Sequence, residues 1–183
     1  MSTPNPLPQT VYASFSGTID QVSLSRIFGS MSYATQHGAR ALHLLFQSGG
    51  GQVDDSVALY NYLHAFPIEL HFYNSGAVQS GATLAWIGVQ HRHVSSHGRF
   101  MLHKSQNPGG GNAARIQSIA DSLVADDLRI ETIIKAHTRI PPEKWAIYET
   151  LDLTFNSQEA VQFGIADDIR EFVVPAGNQI FNI

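Results

Sequence analysis

The sequence contains no cysteine and little charge, and these two shortages exclude several classes of protein. Without cysteine there is no disulfide, no thiolate catalysis and no cysteine-ligated zinc site. Only 14% of the residues are charged and the formal net charge is -4, so we expect no basic surface for nucleic acid or for an anionic membrane. No apolar run approaches the roughly 20 residues of a membrane-spanning helix, and MSTPNPLPQT lacks the basic start and apolar core of a secretion signal. We therefore expect a soluble, cytoplasmic protein.

Apolar residues are plentiful: they make up 43% of the 183 residues, enough for one domain with a real core. Residues 1–10 carry three prolines and little that could be buried, so we predict a flexible N-terminal arm there. The remainder, residues 11–183, is predicted to be a single domain.

Strand and helix patterns alternate through the first hundred residues. Alternating or continuous apolar runs predict strands over residues 11–17, 39–47, 68–74 and 99–104, with helices over 20–37, 53–66 and 80–90 between them. Later segments predict helices over 113–137, 141–149 and 157–163, a short extended piece over 151–155 and a last strand over 165–174. This alternation predicts an α/β fold with right-handed crossovers and a largely parallel sheet.

The helical pattern over residues 113–137 is longer than most helices of globular proteins. Part of it is therefore expected to project from the domain and pack on something else, which indicates an oligomer. Leu123 and Ile130 are expected at or near a subunit contact; the competing interpretation is that they are buried inside their own protomer.

A serine and a histidine each follow a predicted strand. Ser80 lies in the turn SGAVQSGA, just before an apolar helix, where the hydroxyl and the Gly81 amide would stand at a helix N-terminus. His103 ends the strand RFMLHK. Because parallel strands deliver their carboxyl ends to one edge, the two side chains can meet as nucleophile and base. The simpler interpretation is that Ser80 is only a helix cap.

The triple glycine Gly49, Gly50 and Gly51 also lies between a strand and a helix. It matches neither nucleotide-binding fingerprint, and an oxyanion role beside Ser80 fits better than phosphate binding. An acid is still needed to orient His103. Asp152 is the attractive choice, because it lies in a short extended loop rather than on an amphipathic helix face.

The histidines His91, His93 and His97 could indicate a metal, since alternate residues of a strand share a face. No acidic residue lies within this cluster, and its polar neighbours suit an exposed hairpin. We therefore predict no metal site and no cofactor.

The segments FQSGGGQV, GAVQSGA, GRFMLHK and LDLTFNSQEAVQFGIADDI resemble, in order and approximate spacing, the motifs of the Clp protease proteolytic subunit family. These are serine peptidases of the Clp/crotonase fold, and the resemblance covers nearly the whole chain beyond Val11. One departure is Gly49, which stands where the family has proline. The resemblance implies a superhelical core of repeated strand and helix units with a projecting handle helix, here the helix from Ala113.

The resemblance also implies the chemistry. Ser80 matches the family's nucleophile, His103 its base and Asp152 its acid, while the amides of Gly51 and Gly81 would form the oxyanion hole. The expected function is that of a serine endopeptidase subunit acting on peptides or unfolded proteins, in a homo-oligomer of stacked, heptameric rings.

In the family, ATP enters only through an AAA+ unfoldase partner, and no cofactor of the peptidase itself is implied. Two alternatives are a non-catalytic Clp-like ring subunit and a crotonase-type acyl-CoA enzyme. Neither needs a serine, histidine and aspartate set, so the presence of all three residues argues against both.

Overall fold

The computed structural model describes residues 9–183. Strands and helices largely alternate along the chain up to the long helix that begins at Ala113. The predicted arm over residues 1–10 falls outside the described residues except for its last two. The strands are β1 Thr10–Ser16, β2 Ala41–Gln47, β3 Glu69–Asn74, β4 Ala77–Gln79, β5 His91–Val94, β6 Arg99–Leu102, β7 Leu153–Phe155, β8 Asp168–Ile169 and β9 Ile180–Asn182. The helices are α1 Gln21–Gln36, α2 Val53–His64, α3 Gly81–Ile87, α4 Ala113–His137, α5 Pro142–Tyr148 and α6 Ser157–Gln162.

The larger sheet is parallel and has the strand order β8-β5-β3-β2-β1-β9, which confirms the predicted α/β class. Successive residues of a strand point to opposite faces, so one face of β1 and β2 is buried and the other is half-buried. Phe15 and Phe46 lie on the buried face, in the hydrophobic core that also includes buried residues of α1 and α2. Tyr12 and His43 lie on the opposite face.

A smaller sheet has the order β4-β6-β7, with β4 parallel and β7 antiparallel to β6. The register pairs Gln79, the last residue of β4, with Met101 of β6. All seven residues of α3, which follows β4, are buried. The smaller sheet therefore brings the ends of two strands together beside a buried helix, and those ends carry Ser80 and His103.

Helix α4 is 25 residues long, and its N-terminal half projects from the domain as predicted. Val124 and Leu128 expose 69% and 67% of their surface, although both are large apolar residues. Ile130 is only 8% exposed and belongs to the hydrophobic core, so for this residue burial within the protomer is the correct interpretation. Within residues 9–183, no helix combines the length and the apolar character needed to cross a bilayer.

Two local predictions were wrong. His91 and His93 do not lie in an exposed hairpin; they belong to β5, an inner strand that pairs with β3 on one side and β8 on the other. The last strand, predicted over residues 165–174, is reduced to the two residues of β8. The strands β4 and β9 were not predicted, because a run of three residues is too short to show the periodicity of a strand.

Candidate active site

Ser80 occupies a strained turn between β4 and α3. Its φ of 52° is positive, a conformation that non-glycine residues adopt at a cost of about 1–3 kcal/mol and that is found mostly at functional sites. Among residues 9–183 it is the only residue other than glycine in this region. The Ser80 amide donates a hydrogen bond to the Met101 carbonyl oxygen at 2.7 Å, which ties the turn to β6. The turn thus holds Oγ at the start of α3.

His103 follows β6 directly and faces that hydroxyl. Its Nε2 lies 2.7 Å from Ser80 Oγ, within hydrogen-bond distance. The His103 carbonyl accepts a hydrogen bond from the Tyr148 hydroxyl at 3.3 Å, so the backbone at this position is held as well. The structure therefore brings together the two residues that the sequence placed at neighbouring strand ends, in the arrangement of a nucleophile and its base.

The chain segment after His103 is anchored to α4. Lys104 Nζ lies 2.9 Å from Glu131 and 3.2 Å from Glu149, and the Ser105 amide donates to Asp127 Oδ1 at 2.7 Å. Burial lowers the pKa of Lys104, but its hydrogen bonds to the two glutamates outweigh this effect and the net result is a raised pKa. These contacts hold the segment after His103 against the long helix.

The glycine loop packs against the Ser80 turn so closely that side chains are excluded. A Cβ on Gly50, whose φ is +100°, would lie 2.7 Å from Ser80 Cβ. A Cβ on Gly51 would overlap the Ile19 carbonyl oxygen. Gly50 therefore allows the loop to approach the Ser80 turn, and Gly51 allows it to pass the backbone of Ile19.

Two backbone amides beside Ser80, those of Gly51 and Gly81, have no protein acceptor in the described residues. The Gly81 amide belongs to the first turn of α3, where such donors lack helical partners. This pair of donors is what an oxyanion hole requires.

Asp152 lies near His103 but does not contact it. Both residues line a cavity of about 180 Å³ that also includes Lys104, Gln106 and Tyr148. Asp152 is exposed, and within residues 9–183 it forms no hydrogen bond or ion pair with the imidazole. The nearest polar partner of His103 Nδ1 is instead Gln106 Nε2, at 3.3 Å.

Sequence reasoning missed Gln106, because the segment KSQNPGGGN is recognisable only as a loop. The available signal was its position three residues after His103. The contact matters because it decides which ring nitrogen carries the proton. If Gln106 Nε2 donates to Nδ1, the ring proton lies on Nε2 and the imidazole cannot accept the Ser80 proton. An acceptor facing Nδ1, either Gln106 Oε1 after a 180° turn of the amide or a carboxylate, reverses the tautomer.

A cavity of about 150 Å³ opens directly beside Ser80 and His103. Its apolar walls are formed by Val53, Leu84, Leu102 and Ile130. Its other lining residues include Gln52, Ser105 and Gln106, so the cavity offers both apolar and polar contacts to a group held beside Ser80.

The histidines considered for metal binding lie elsewhere. His91 and His93 stand on the half-buried face of the larger sheet together with His43 and His71, whereas His97 lies in the turn after β5. The acidic residues absent from the local sequence come from other strands, since Glu69 lies beside His91 and Asp168 beside His93. Burial lowers the pKa of His43 to about 4, so its ring is neutral at physiological pH.

Comparison with known proteins identifies the family. The sequence model of the family described as "Clp protease" matches residues 6–172. "ATP-dependent Clp protease proteolytic subunit 2" of Thermobifida fusca is 27% identical over 154 residues, which cover 82% of this chain and 76% of that protein. Subunit 3 of Streptomyces coelicolor is also 27% identical over 154 residues, covering 82% and 71%.

A solved structure supports the same assignment at the level of the fold. A point mutant of ClpP1 from Listeria monocytogenes is 18% identical in sequence, and the match covers 90% of this chain and 92% of that one, with a TM-score of 0.76. The expected Clp/crotonase-like fold is thereby confirmed. With a family match that spans most of its length, this chain belongs to the Clp protease family.

Proposed function

We propose that this chain is a serine endopeptidase subunit in which Ser80 is the nucleophile and His103 the general base. The observation that carries the proposal is the 2.7 Å contact between His103 Nε2 and the hydroxyl of a serine held at positive φ. His103 takes the proton of Ser80 as Oγ attacks the peptide carbonyl carbon. The imidazolium then gives that proton to the leaving amine, and an acyl-enzyme remains.

The second half of the reaction reverses the roles. Water gives its proton to His103 and attacks the ester carbonyl, and the proton returns to Ser80 Oγ as the carboxylic product leaves. In both halves the carbonyl oxygen becomes negatively charged, and the Gly51 and Gly81 amides would stabilise it by hydrogen bonds. Removal of one such donor from a known enzyme costs about 10²–10³ in kcat.

Asp152 is proposed as the acid that orients His103. This role requires its carboxylate to accept the Nδ1 proton in place of the contact with Gln106, and Asp152 is close enough to share a cavity with both side chains. The carboxylate would fix the tautomer in which Nε2 accepts and would stabilise the imidazolium.

The proposal is tested by labelling with a fluorophosphonate, which reacts with activated serines. One adduct per chain is expected, on the tryptic peptide that contains Ser80, because His103 would activate only this hydroxyl. Heat-denatured protein is the control, because it keeps the serine and loses its contact with His103. A non-catalytic ring subunit or a crotonase-type acyl-CoA enzyme would give no adduct at Ser80. The absence of that adduct would therefore overturn the proposal.

We further propose that the chain works as a homo-oligomer of stacked rings that encloses the active sites, with peptides or unfolded proteins as substrates. The relatives are named as ATP-dependent, and ATP would act here through a partner unfoldase. The support for assembly is α4, which presents large apolar residues to solvent in the isolated protomer. Apolar surface of this kind on a projecting helix marks a protein contact.

Val124→Asp is expected to shift the particle toward smaller assemblies in sedimentation velocity, because a carboxylate cannot be buried in an apolar contact without a partner. The matched control is Val22→Asp, since Val22 is also a helical valine with 69% exposure but lies on α1. The control is expected to sediment like the wild type. A wild-type protein that sediments as a 20.0 kDa monomer at micromolar concentration would contradict the assembly proposal outright.

A further inference from the structure

Three side chains with metal-binding atoms converge on the half-buried face of the larger sheet. Glu69 Oε1 lies 3.0 Å from His71 Nε2 and 3.4 Å from His91 Nε2. One ligand atom from each residue lies within 4.8 Å of those of the other two. Glu69 and His71 belong to β3, and His91 belongs to β5.

The backbone of the sheet imposes this convergence. His71 and His91 are direct partners in the parallel register of β3 and β5, and neighbouring strands lie about 4.8 Å apart. The rings of these two histidines stack with centroids 4.3 Å apart. Glu69 precedes His71 by two residues, so its side chain points to the same face. The donor groups are thus placed by hydrogen-bonded strands and not by a flexible loop.

We propose that Glu69, His71 and His91 form a binding site for a divalent transition metal, with Zn²⁺ as the preferred ion. Two imidazoles and one carboxylate are a ligand set that zinc uses in proteins, and a water molecule would take the fourth position. Zinc-to-ligand distances of about 2.0–2.2 Å place tetrahedral ligands roughly 3.3–3.5 Å apart, close to the separations of Glu69 from the two histidines. The His91 side chain is 44% exposed and is free to turn its ring toward the ion.

A chain of hydrogen bonds is compatible with the tautomer of His71 that binds a metal, in which coordination replaces the 3.0 Å hydrogen bond between His71 Nε2 and Glu69 Oε1. Its Nδ1 lies 3.2 Å from His93 Nε2, and His93 Nδ1 lies 2.6 Å from Asp168 Oδ1. With Nε2 of His71 on the metal, Nδ1–H donates to His93, and His93 in turn donates to the Asp168 carboxylate. Every ring nitrogen in this chain then has a suitable partner. Carboxylate-supported histidines of this kind are the usual outer shell of a protein metal site.

The site is separate from the peptidase chemistry. It lies on the six-stranded sheet, whereas Ser80 and His103 follow strands of the smaller sheet. A metal bound here would link β3 to β5 through their side chains. It would therefore stabilise the folded chain, since an ion that binds only the native state raises the free energy of unfolding.

The test uses the full chain without a histidine tag, freed of metal with EDTA and then of EDTA. Titration with ZnCl₂ in a calorimeter is expected to give one ion per chain with micromolar or tighter affinity. His91→Ala is expected to weaken binding at least about tenfold, because it removes one of three protein ligands. The matched control is His97→Ala, which removes an exposed histidine of the turn after β5 and is expected to bind like the wild type.

Two further measurements show whether Zn²⁺ binds at the site that contains His91. Zn²⁺ should raise the Tm of the wild type and of His97→Ala but not that of His91→Ala, and circular dichroism checks that each variant is folded. Co²⁺ in place of Zn²⁺ should give the intense visible absorption of a tetrahedral site, absent in His91→Ala. A wild type that binds no stoichiometric Zn²⁺, or a His91→Ala variant with wild-type affinity, would overturn the site.

Discussion

Ser80→Ala is expected to lower kcat/KM for short fluorogenic peptides by about four to six powers of ten, the loss seen when a triad serine is removed elsewhere. The reason is chemical: without Oγ no acyl-enzyme forms, and His103 has no proton to take. The fold should be unaffected, because the Ser80 side chain caps no backbone amide of α3 and the turn is held by its own backbone hydrogen bond to Met101.

Ser105→Ala is the matched control for this loss. Ser105 lines the same cavity as Ser80, and among the described residues its buried Oγ has no hydrogen-bond partner. Removing that hydroxyl changes one wall of the cavity and can alter KM, but it should leave kcat within a few-fold of the wild type. Wild-type turnover in Ser80→Ala, with circular dichroism and sedimentation unchanged, would remove Ser80 from the mechanism altogether.

The proximity of Ser80 and His103 was predictable because it depends on the order and direction of the strands more than on side-chain packing. Each residue follows a short strand, and parallel neighbours bring their carboxyl ends to one edge. The register of Gln79 with Met101 realises that expectation. Local caps were predictable for a similar reason. Asp20 caps α1, and Asn156 and Glu159 form a capping box at α6, with the residue types that favour these positions.

Strand β5 could not be predicted, because it is buried by strands that are distant in the sequence. HRHV is short and polar, and by composition it suits an exposed turn. In the fold His93 is buried by residues distant in sequence, with His71 on β3 and Asp168 on β8 as its polar partners. The sequence named His91 as a possible metal ligand but offered no acidic partner for it, since Glu69 is 22 residues away. Pairing between strands, and not the pattern within one, creates this cluster.

The sequence predicted the loop in which Asp152 lies, but it could not predict whether its carboxylate forms a hydrogen bond with His103. The sequence places it before a short extended segment, and β7 begins at the next residue. Whether its carboxylate reaches His103 depends on side-chain rotamers and on competition from Gln106, a loop residue with no recognisable pattern. Which of these two side chains orients the imidazole is therefore a question for mutagenesis.

Asp152→Asn is expected to reduce kcat by about a hundredfold or more while fold and assembly remain intact. The carboxamide keeps the shape of the carboxylate, but it neither enforces the tautomer with the proton on Nδ1 nor stabilises the imidazolium. KM for short peptides should change little, because Asp152 does not line the cavity beside Ser80. Asp121→Asn, in an exposed aspartate of α4, is the matched control and should keep wild-type kcat.

Gln106→Ala separates the two candidates for the orienting role. If Asp152 orients His103, removal of the Gln106 amide frees Nδ1 for the carboxylate, and kcat should be unchanged or higher. If Gln106 Oε1 accepts the Nδ1 proton instead, Gln106→Ala should lose activity and Asp152→Asn should not. Full activity of Asp152→Asn together with an inactive Ser80→Ala would thus refute the acid role of Asp152 and leave a serine and histidine dyad oriented by the loop, since His103 Nε2 would still face the Ser80 hydroxyl at 2.7 Å.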